Sequence, residues 1–169
     1  MQNQMLASII NRRSVREFID RDVSDSDLEA ILEAGRWAPS GLNNQPWRFV
    51  LVQGSEKKAE LAELTHYGRI VTAAPVLIAV FMDADASYDR TKDVQAMGAC
   101  LQNMLLTAHS LGLGAVWLGE ILKNADAVAQ RLNLGSKLEL MAVLAIGHPQ
   151  ERNRKSARRP LEELILGRY

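Results

Sequence analysis

The segment Val76-Leu77-Ile78-Ala79-Val80-Phe81-Met82 is continuously apolar, with no alternation between polar and apolar side chains. A strand with one solvent-facing side alternates, whereas a strand without alternation is usually covered on both of its faces. The segment therefore predicts a buried central strand, and the sheet that contains it needs helices on both sides.

Three further segments predict the other strands of this sheet. Each is rich in apolar or β-branched residues and is bounded by residues that favour turns. They cover residues 47–53, 113–118 and 138–146. With the helical patterns between them, these strands predict an α+β fold in which residues 1–169 form one domain and one sheet carries helices on both faces.

Apolar residues at helical spacing predict the surrounding helices. The predicted helices cover residues 2–11, 24–38, 55–64 and 91–111, a short stretch after residue 124, and residues 161–165. Ser24, Ser55 and Asn124 are the expected N-caps, because their side chains can accept hydrogen bonds from the first backbone N–H groups of a helix. Gly135 is the expected end of the helix that Asn124 begins.

The helix predicted for residues 91–111 is apolar around most of its circumference. One small domain has difficulty covering so much of a long helix, so a partner subunit is one explanation. A central helix that is buried within the monomer is the other, and the sequence leaves both open. The apolar positions are Val94, Met97, Leu101, Met104, Ala108 and Leu111, widened by Ala99, Cys100, Leu105 and Leu106.

Composition excludes several functional classes. The 169 residues contain 20 Lys plus Arg and 20 Asp plus Glu, so no overall charge points to a nucleic acid or a membrane partner. The single cysteine excludes an internal disulfide. The first residues lack a signal-peptide pattern and no apolar run is long enough to span a bilayer, which predicts a cytoplasmic protein.

Side chains suited to direct catalysis are sparse. His66, His109 and His148 have no metal-ligand spacing, which gives a metal site little support. Cys100 and His109 would lie on opposite sides of one helix, so both are interpreted as structural rather than as a nucleophile and its base. If the protein is an enzyme, a cofactor is therefore expected to supply the reactive atom.

The segment between the second helix and the first strand has an unusual composition, Trp37-Ala38-Pro39-Ser40-Gly41-Leu42-Asn43-Asn44-Gln45-Pro46-Trp47. Pro39 ends the helix, and Gly41 allows either unusual backbone angles or a close approach. The three side-chain amides suit the edge of a heterocycle that alternates carbonyl oxygens with ring N–H groups. An ordered loop whose amides bond to its own backbone explains the same residues equally well.

Two basic clusters lie near the ends of the chain. Arg12-Arg13-Ser14-Val15-Arg16 offers three guanidinium groups and a hydroxyl, which suit an anion, although cations are also favoured at a helix C-terminus. Residues 152–159 hold five further cations, in a run of a kind that is usually only solvated. Neither cluster alone decides between a binding site and an exposed surface.

Five segments in chain order carry a family resemblance. They are Arg12-Arg13-Ser14-Val15-Arg16, residues 38–47, Gln102-Asn103-Met104-Leu105-Leu106, Gly112-Leu113-Gly114 with Trp117-Leu118-Gly119, and Arg159-Pro160-Leu161-Glu162-Glu163. Each is weak alone, but their order is specific and they run nearly from end to end. Through them the sequence resembles the FMN-dependent nitroreductases.

This resemblance implies that the two basic clusters share one phosphate. The first cluster, which includes Arg13, would hold FMN, with Arg12 and Ser14 toward the phosphate and Arg16 toward the pyrimidine side of the flavin. Arg158 in the second cluster would close on the phosphate. A cation beside the pyrimidine would also stabilise the negative charge of the reduced ring.

The resemblance also implies contacts from two other segments. The loop before the first strand would come from the other subunit of a homodimer and would lie along the ring and the ribityl chain. Its expected contact residues are Pro39, Ser40, Gly41, Asn43 and Gln45. The backbone of Leu118 and Gly119 would face N5 and O4 of the flavin.

The implied protein is an interwoven α+β homodimer with a mixed or antiparallel central sheet and two FMN sites at the subunit interface. Its implied reaction is ping-pong: NADH or NADPH gives a hydride to flavin N5, the nicotinamide leaves, and a small conjugated acceptor such as a nitroaromatic or a quinone takes its place. No catalytic side chain is required, since the protein binds and orients the ring.

The chain departs from the larger members of that family by its length. The stretches 66–74 and 83–92 are short where longer relatives cover the acceptor pocket, so the acceptor stays open. Tyr67 and Tyr88 could line that pocket, or they could be surface or packing residues. A specialised relative, such as a reductive dehalogenase or an enzyme that modifies flavin, and a non-catalytic flavin-binding protein are the alternatives.

Overall fold

A computed structural model describes residues 3–151 and 155–169 of the protein. Its strands form one four-stranded sheet with the order β1-β2-β4-β3, and every neighbouring pair is antiparallel. The strands are β1 (Trp47–Val52), β2 (Val76–Asp83), β3 (Gly114–Leu118) and β4 (Leu138–Gly147). The four predicted strands are therefore confirmed, and the sheet is antiparallel.

The helices occupy most of the predicted ranges. They are α1 (Gln4–Asn11), α2 (Asp25–Arg36), α3 (Ser55–Ala62), α4 (Gly68–Ala73), α5 (Arg90–Ser110) and α6 (Ala125–Arg131), with short 3₁₀ helices at Gly41–Asn43, Glu120–Asn124 and Leu161–Leu164. Helix α4 has no counterpart among the predicted helices, because six residues carry too little periodicity to be recognised. The helix predicted at residues 161–165 is a 3₁₀ turn.

Strand β2 is covered on both faces, as its continuous apolar sequence predicts. Val76, Ile78 and Val80 face a core that includes residues of α2 and α5. Leu77 and Phe81 face a second core that includes residues of α3, α4 and α6. Because successive side chains of a strand point to opposite faces, the single apolar run stabilises both layers of helices.

The predicted helix ends are partly correct. Ser24 caps α2, and its hydroxyl oxygen accepts a hydrogen bond from the Asp27 N–H at 3.2 Å. The prediction for Ser55 is wrong by one position, since Gly54 is the N-cap of α3. Asn124 is the N-cap residue of α6, as predicted, but its side chain makes no cap hydrogen bond among the described residues, and its amide donates to the Leu64 carbonyl 60 residues earlier. Asn133 rather than Gly135 takes the left-handed conformation after α6.

Helices α2 and α5 approach closely at a glycine. A Cβ on Gly35 would lie 2.9 Å from Cγ of Met104 and 3.1 Å from Sγ of Cys100, both on α5. Gly35 is buried, so a side chain there has no route to solvent. The glycine therefore sets the distance between the two helices.

We expect Gly35→Ala to lower the free energy of unfolding by about 1 kcal/mol, because the cost of overpacking exceeds the gain in helix propensity. Met104→Ala should cost about 2–5 kcal/mol by leaving a cavity. In the Met104→Ala background the added methyl enters that cavity, so Gly35→Ala should be neutral or stabilising. Chemical denaturation of the four proteins at one concentration measures this coupling. An equal effect of Gly35→Ala in both backgrounds would contradict the packing described.

Burial within the chain accounts for much of the apolar surface of α5. Its buried residues are Asp93, Ala96, Met97, Cys100, Leu101, Met104, Leu105 and Ala108. Val94 is 38% exposed, and Leu111, which follows the helix, is 40% exposed. The central-helix explanation is thus confirmed for one side of α5.

Within the residues that the structure describes, no helix has the length and apolar character needed to cross a membrane.

Candidate functional site

The first basic cluster lies along an edge of the sheet. After α1 ends, the Val15 N–H donates to the Ala115 carbonyl at 3.0 Å, and Ser14 pairs with Ala115 of β3 in a parallel bridge. Gly114 permits this approach, because a Cβ there would lie 2.6 Å from Cγ1 of Val15. The arginine segment is therefore fixed to the rigid sheet by its backbone, which leaves its polar side chains for the surface.

The second basic cluster meets the first in an open cleft of about 330 Å³, which we call the arginine cleft. Its lining residues are Arg12, Arg13, Ser14, Arg16, Lys155, Ser156 and Arg158. Five of the seven are cations and the other two carry hydroxyl groups. Two further cations of the second cluster, Arg152 and Arg154, lie outside the described residues. Clusters that are more than 130 residues apart in sequence thus face one volume.

The side chains of the arginine cleft are partly held by local hydrogen bonds. Arg158 donates to the hydroxyl of Ser156 at 2.5 Å and to the carbonyl of Ala157 at 2.8 Å. Arg13 donates to the carbonyls of Ile10 and Arg12, at 2.7 Å and 2.9 Å. Arg13 therefore also serves the helix C-terminus of α1, as the alternative interpretation of this cluster predicts.

The electrostatics of the arginine cleft favour an anion. Burial lowers the pKa of Arg12 below its ordinary value, and repulsion from the guanidinium groups of Arg158 and Arg13 lowers it further. Such repulsion means that the positive charges of Arg13 and Arg158 lie close to that of Arg12. A dianion such as a phosphate group would relieve it and could accept paired hydrogen bonds from the guanidinium groups.

The loop before β1, residues 39–45, is here called the amide loop. Leu42, Asn43 and Gln45 have positive φ angles of 55°, 55° and 48°. Such left-handed conformations cost about 1–2 kcal/mol each in residues other than glycine, and they concentrate at functional sites. Gly41 serves a close approach instead, because a Cβ there would lie 1.7 Å from the hydroxyl oxygen of Tyr88.

The amide loop is held by its own polar groups. The Ser40 hydroxyl accepts from the Gln45 N–H at 3.1 Å, and the Gln45 amide donates to the Asn43 carbonyl at 3.1 Å. Asn44 bonds outside the loop, to Ala86 and Asp93. Asn43 and Pro39 are exposed. The interpretation that the amides bond to the loop's own backbone thus holds for Gln45 alone, since Asn44 bonds elsewhere and Asn43 lies at the surface.

The amide loop and the arginine cleft lie at opposite ends of α5 in one chain. Asn44 bonds to Asp93 in the first turn of α5, whereas Arg13 lines a small cavity together with His109 in its last turn. Sixteen helical residues separate these two positions, a distance of about 24 Å at 1.5 Å per residue. The structure therefore does not bring the two sets of predicted site residues together within a single chain.

Strand β3 ends beside an open space. Leu118 is buried, and Gly119 has an ordinary φ of −97°, so its backbone does not require glycine. No described atom lies within 4 Å of the position that a Cβ of Gly119 would take. The absent side chain leaves room that the described residues do not fill. This edge is also the one that the arginine segment follows.

Glu120, which follows Gly119, makes a tertiary contact that sequence reasoning missed. Its carboxylate accepts from the Thr65 hydroxyl at 2.6 Å and from the His66 N–H at 3.0 Å, and it pairs with Lys123. The hydrogen bonds from Lys123 and Thr65 lower the pKa of Glu120 to about 2. The carboxylate ties the turn between α3 and α4 to the end of β3, a contact over 55 residues.

The side chains considered for other chemistry are structural or exposed. Burial raises the pKa of the Cys100 thiol to about 12, so the group is protonated near neutral pH and is not a nucleophile. Among residues 3–151 and 155–169, no three His, Cys, Asp or Glu side chains are grouped to hold a metal ion. Tyr88 packs against Gly41 of the amide loop, and Tyr67 is 44% exposed before α4.

The sequence and the fold are similar to those of known proteins. The model of the nitroreductase family matches residues 9–68 and 65–148. A crystal structure of a protein from Desulfovibrio desulfuricans, provisionally described as a nitroreductase and solved in complex with FMN, is similar with a TM-score of 0.95 and 48% identity, over 100% of this chain and 99% of that chain.

Two relatives of known sequence are also similar. A protein of Archaeoglobus fulgidus, provisionally described as an NADH dehydrogenase/NAD(P)H nitroreductase, is 34% identical over 151 residues, which are 88% of this chain and 87% of the relative. The FMN reductase [NAD(P)H] of Bacillus subtilis is 29% identical over 178 residues, covering 95% of this chain and 72% of the relative. The chain is thus shorter than some of the proteins that it matches.

Proposed function

Because this chain belongs to the nitroreductase family, we propose that it is an FMN-dependent oxidoreductase that uses NADH or NADPH to reduce small conjugated acceptors such as nitroaromatics and quinones. The arginine cleft carries this proposal. It gathers five cations and two hydroxyl groups from both ends of a chain whose net charge is zero. A bound phosphate accounts for this arrangement, and the similar protein of Desulfovibrio desulfuricans holds FMN.

The described residues fit the chemistry of FMN. Arg12, Ser14 and Arg158 would bind the phosphate, since their guanidinium and hydroxyl groups donate to its oxygens. Arg13 and Arg16 line the same cleft, and Arg16 would lie toward the pyrimidine side of the flavin. The open space at Gly119 is consistent with a ring that approaches the backbone of Leu118 and Gly119.

The remaining contacts would come from a second copy of the chain. In a homodimer whose two-fold axis passes beside the middle of α5 at right angles to it, the two copies of α5 run in opposite directions, so the amide loop of one copy would lie near the arginine cleft of the other. Pro39, Ser40, Gly41, Asn43 and Gln45 would then line the ring and the ribityl chain.

Exposed apolar side chains support such a dimer. Helix α1 has no buried residue within the chain, and Met5 and Ile9 are 72% and 47% exposed. They line an open groove of about 570 Å³ together with Trp37 of the segment before the amide loop and Leu106 of α5. Contiguous apolar surface of this kind usually marks an interface.

FMN in this site would supply the hydride chemistry between the nicotinamide and the acceptor. The residues of the chain bind and orient the ring, and Arg16 would stabilise the negative charge that the ring gains on reduction. No side chain of the chain is assigned an acid, base or nucleophile role. The chemistry thus depends on placement of the ring, not on a reactive residue.

The test is the colour and turnover of the purified protein. We expect visible flavin absorption, or its recovery after reconstitution with FMN, and oxidation of NADH or NADPH in the presence of nitroaromatic or quinone acceptors. A colourless protein that cannot be reconstituted would refute the proposal. Bound flavin without turnover would identify a non-catalytic flavin-binding protein, and turnover with halogenated substrates or flavin alone would identify a specialised relative. The cytoplasmic location stays a prediction.

A further inference from the structure

Asp93 is the one buried charged residue among those that the structure describes, with an exposed fraction of 0%. It lies in the first turn of α5, after the N-cap Asp89. Oδ1 of Asp93 accepts from the amide of Asn44 at 2.7 Å. Oδ2 accepts from the hydroxyl of Ser87 at 2.6 Å and from the backbone N–H groups of Tyr88 and Asp89, at 3.0 Å and 3.2 Å.

These donors are neutral, so they stabilise a carboxylate without cancelling its charge. Burial raises the pKa of Asp93, but the hydrogen bonds from Ser87, Asn44, Asp89 and Tyr88 outweigh burial, and the net pKa lies below the ordinary value. The N-terminal position in α5 favours the anion as well, because the helix dipole is positive there. Asp93 is therefore an ionised group that several segments surround.

Asn44 connects this carboxylate to the amide loop. Both of its amide N–H groups are used, one on Asp93 and the other on the Ala86 carbonyl at 2.9 Å. This use fixes the orientation of the amide, and its oxygen Oδ1 is buried without a donor among the described residues. Asn44 thus donates both amide hydrogen bonds to residues 86–93, which lead into and include the first turn of α5.

The residues on both sides of Asn44 adopt left-handed conformations, with φ of 55° at Asn43 and 48° at Gln45. Strained conformations of this kind persist only when surrounding contacts hold them in place. Gly41, in the same loop, packs against Tyr88, whose backbone N–H donates to Asp93. Asp93 therefore accepts hydrogen bonds from Asn44 of the amide loop and from Tyr88, which packs against Gly41 of the same loop.

We propose that Asp93 is a positioning residue for the flavin: through Asn44 it holds the amide loop in the conformation that contacts FMN. This inference rests on the proposed function, since it assigns the loop to the cofactor. The carboxylate of Asp93 accepts from Asn44, Ser87 and two backbone N–H groups, so it fixes the positions of these donors relative to one another. A strained ligand-binding loop needs contacts that hold it in one conformation, and Asn44 supplies one of them.

The test measures FMN affinity and the stability of the FMN-free protein in three variants. Asp93→Asn keeps the size of the side chain and removes its charge, and Asn44→Ala removes the connection while leaving Asp93 in place. Asp89→Ala is the matched control, because it removes the side chain that accepts from the Lys92 N–H at the start of α5 without touching the Asn44–Asp93 pair. Visible circular dichroism of bound flavin reports the ring environment independently of turnover.

We expect Asp93→Asn and Asn44→Ala to weaken FMN binding by about tenfold or more and to change the dichroism of any flavin that remains bound. Asp89→Ala should lower thermal stability while FMN affinity stays within about threefold of wild type. If Asp93→Asn does not fold, Asn44→Ala decides the outcome.

Near-wild-type FMN affinity in both variants would overturn the inference while leaving the proposed function intact. An equal loss of affinity in Asp89→Ala would also overturn it, because general destabilisation of α5 would then explain the result. Absence of FMN binding by the wild-type protein would instead refute the proposed function, and the inference with it.

Discussion

Replacement of Arg12 and Arg158 by alanine in one protein is expected to weaken FMN binding at least about a hundredfold while riboflavin binding stays unchanged. The two side chains face one cleft from opposite ends of the sequence. Each charge-assisted hydrogen bond to a phosphate is typically worth about 1.5–3 kcal/mol, so the loss of two exceeds the 2.7 kcal/mol that corresponds to about a hundredfold. Riboflavin lacks the phosphate, so its affinity should not depend on either residue.

The matched control for this prediction is the double variant Arg21→Ala with Arg131→Ala. It removes the same number of positive charges from residues that do not line the arginine cleft, so it reports the effect of net charge together with the loss of the exposed Arg131 pairs with Glu60 and Glu63. Titration of flavin fluorescence measures both ligands in all three proteins. Equal weakening of riboflavin and FMN in Arg12→Ala/Arg158→Ala would mean that the cleft is not a phosphate site.

The sheet could be predicted from the sequence because its information is local. The apolar run at residues 76–82 carries the evidence for burial on both faces within seven consecutive side chains. Ser24 similarly identifies the start of α2 with the residues that follow it. Short-range patterns therefore predict a helix cap, whose partners are close in sequence. They also predict a buried strand, which needs only some apolar surface to pack against.

Contacts between distant polar groups could not be predicted in this way. Asn44 and Asp93 are separated by 49 residues, and Glu120 and Thr65 by 55 residues. Asp93 resembles an ordinary acidic residue in the first turn of a helix, and only the fold shows that it is buried. Asn124 shows the same limit, because it is the N-cap residue of α6 while its amide N–H donates to the distant Leu64 carbonyl.

Predicting the candidate site needs both local residue patterns and contacts between residues that are distant in sequence. The guanidinium-rich segment and the amide loop stand out by their residue types, and the order of these and three further segments carries the family resemblance that assigns them to a site. Their relative placement is not recognisable from residue types, since it depends on the path of α5 between them. The proposal that two chains share each site comes from the family resemblance, and it is supported by the roughly 24 Å of α5 that separates Asp93, beside the amide loop, from His109, beside Arg13.

A dimer of two different variants tests the proposal that each FMN site takes residues from both chains, and it is expected to have a large effect on FMN binding. One chain carries Arg16→Ala and the other carries Asn43→Ala, with a different affinity tag on each chain so that the heterodimer can be isolated. We expect each homodimeric variant to bind FMN weakly at both sites, with a loss of about tenfold or more for Arg16→Ala. We expect the heterodimer to retain one site of wild-type affinity per dimer.

The expected number of intact FMN sites depends on how the two substitutions are distributed between the sites of the heterodimer. If each site takes Arg16 from one chain and Asn43 from the other, both changes in the heterodimer fall at a single site and the second site keeps an intact set. If each site is built within one chain, every site of the heterodimer carries one change and none retains wild-type affinity. FMN stoichiometry at a ligand concentration between the two affinities separates these cases, with a doubly tagged wild-type dimer as the reference for two sites.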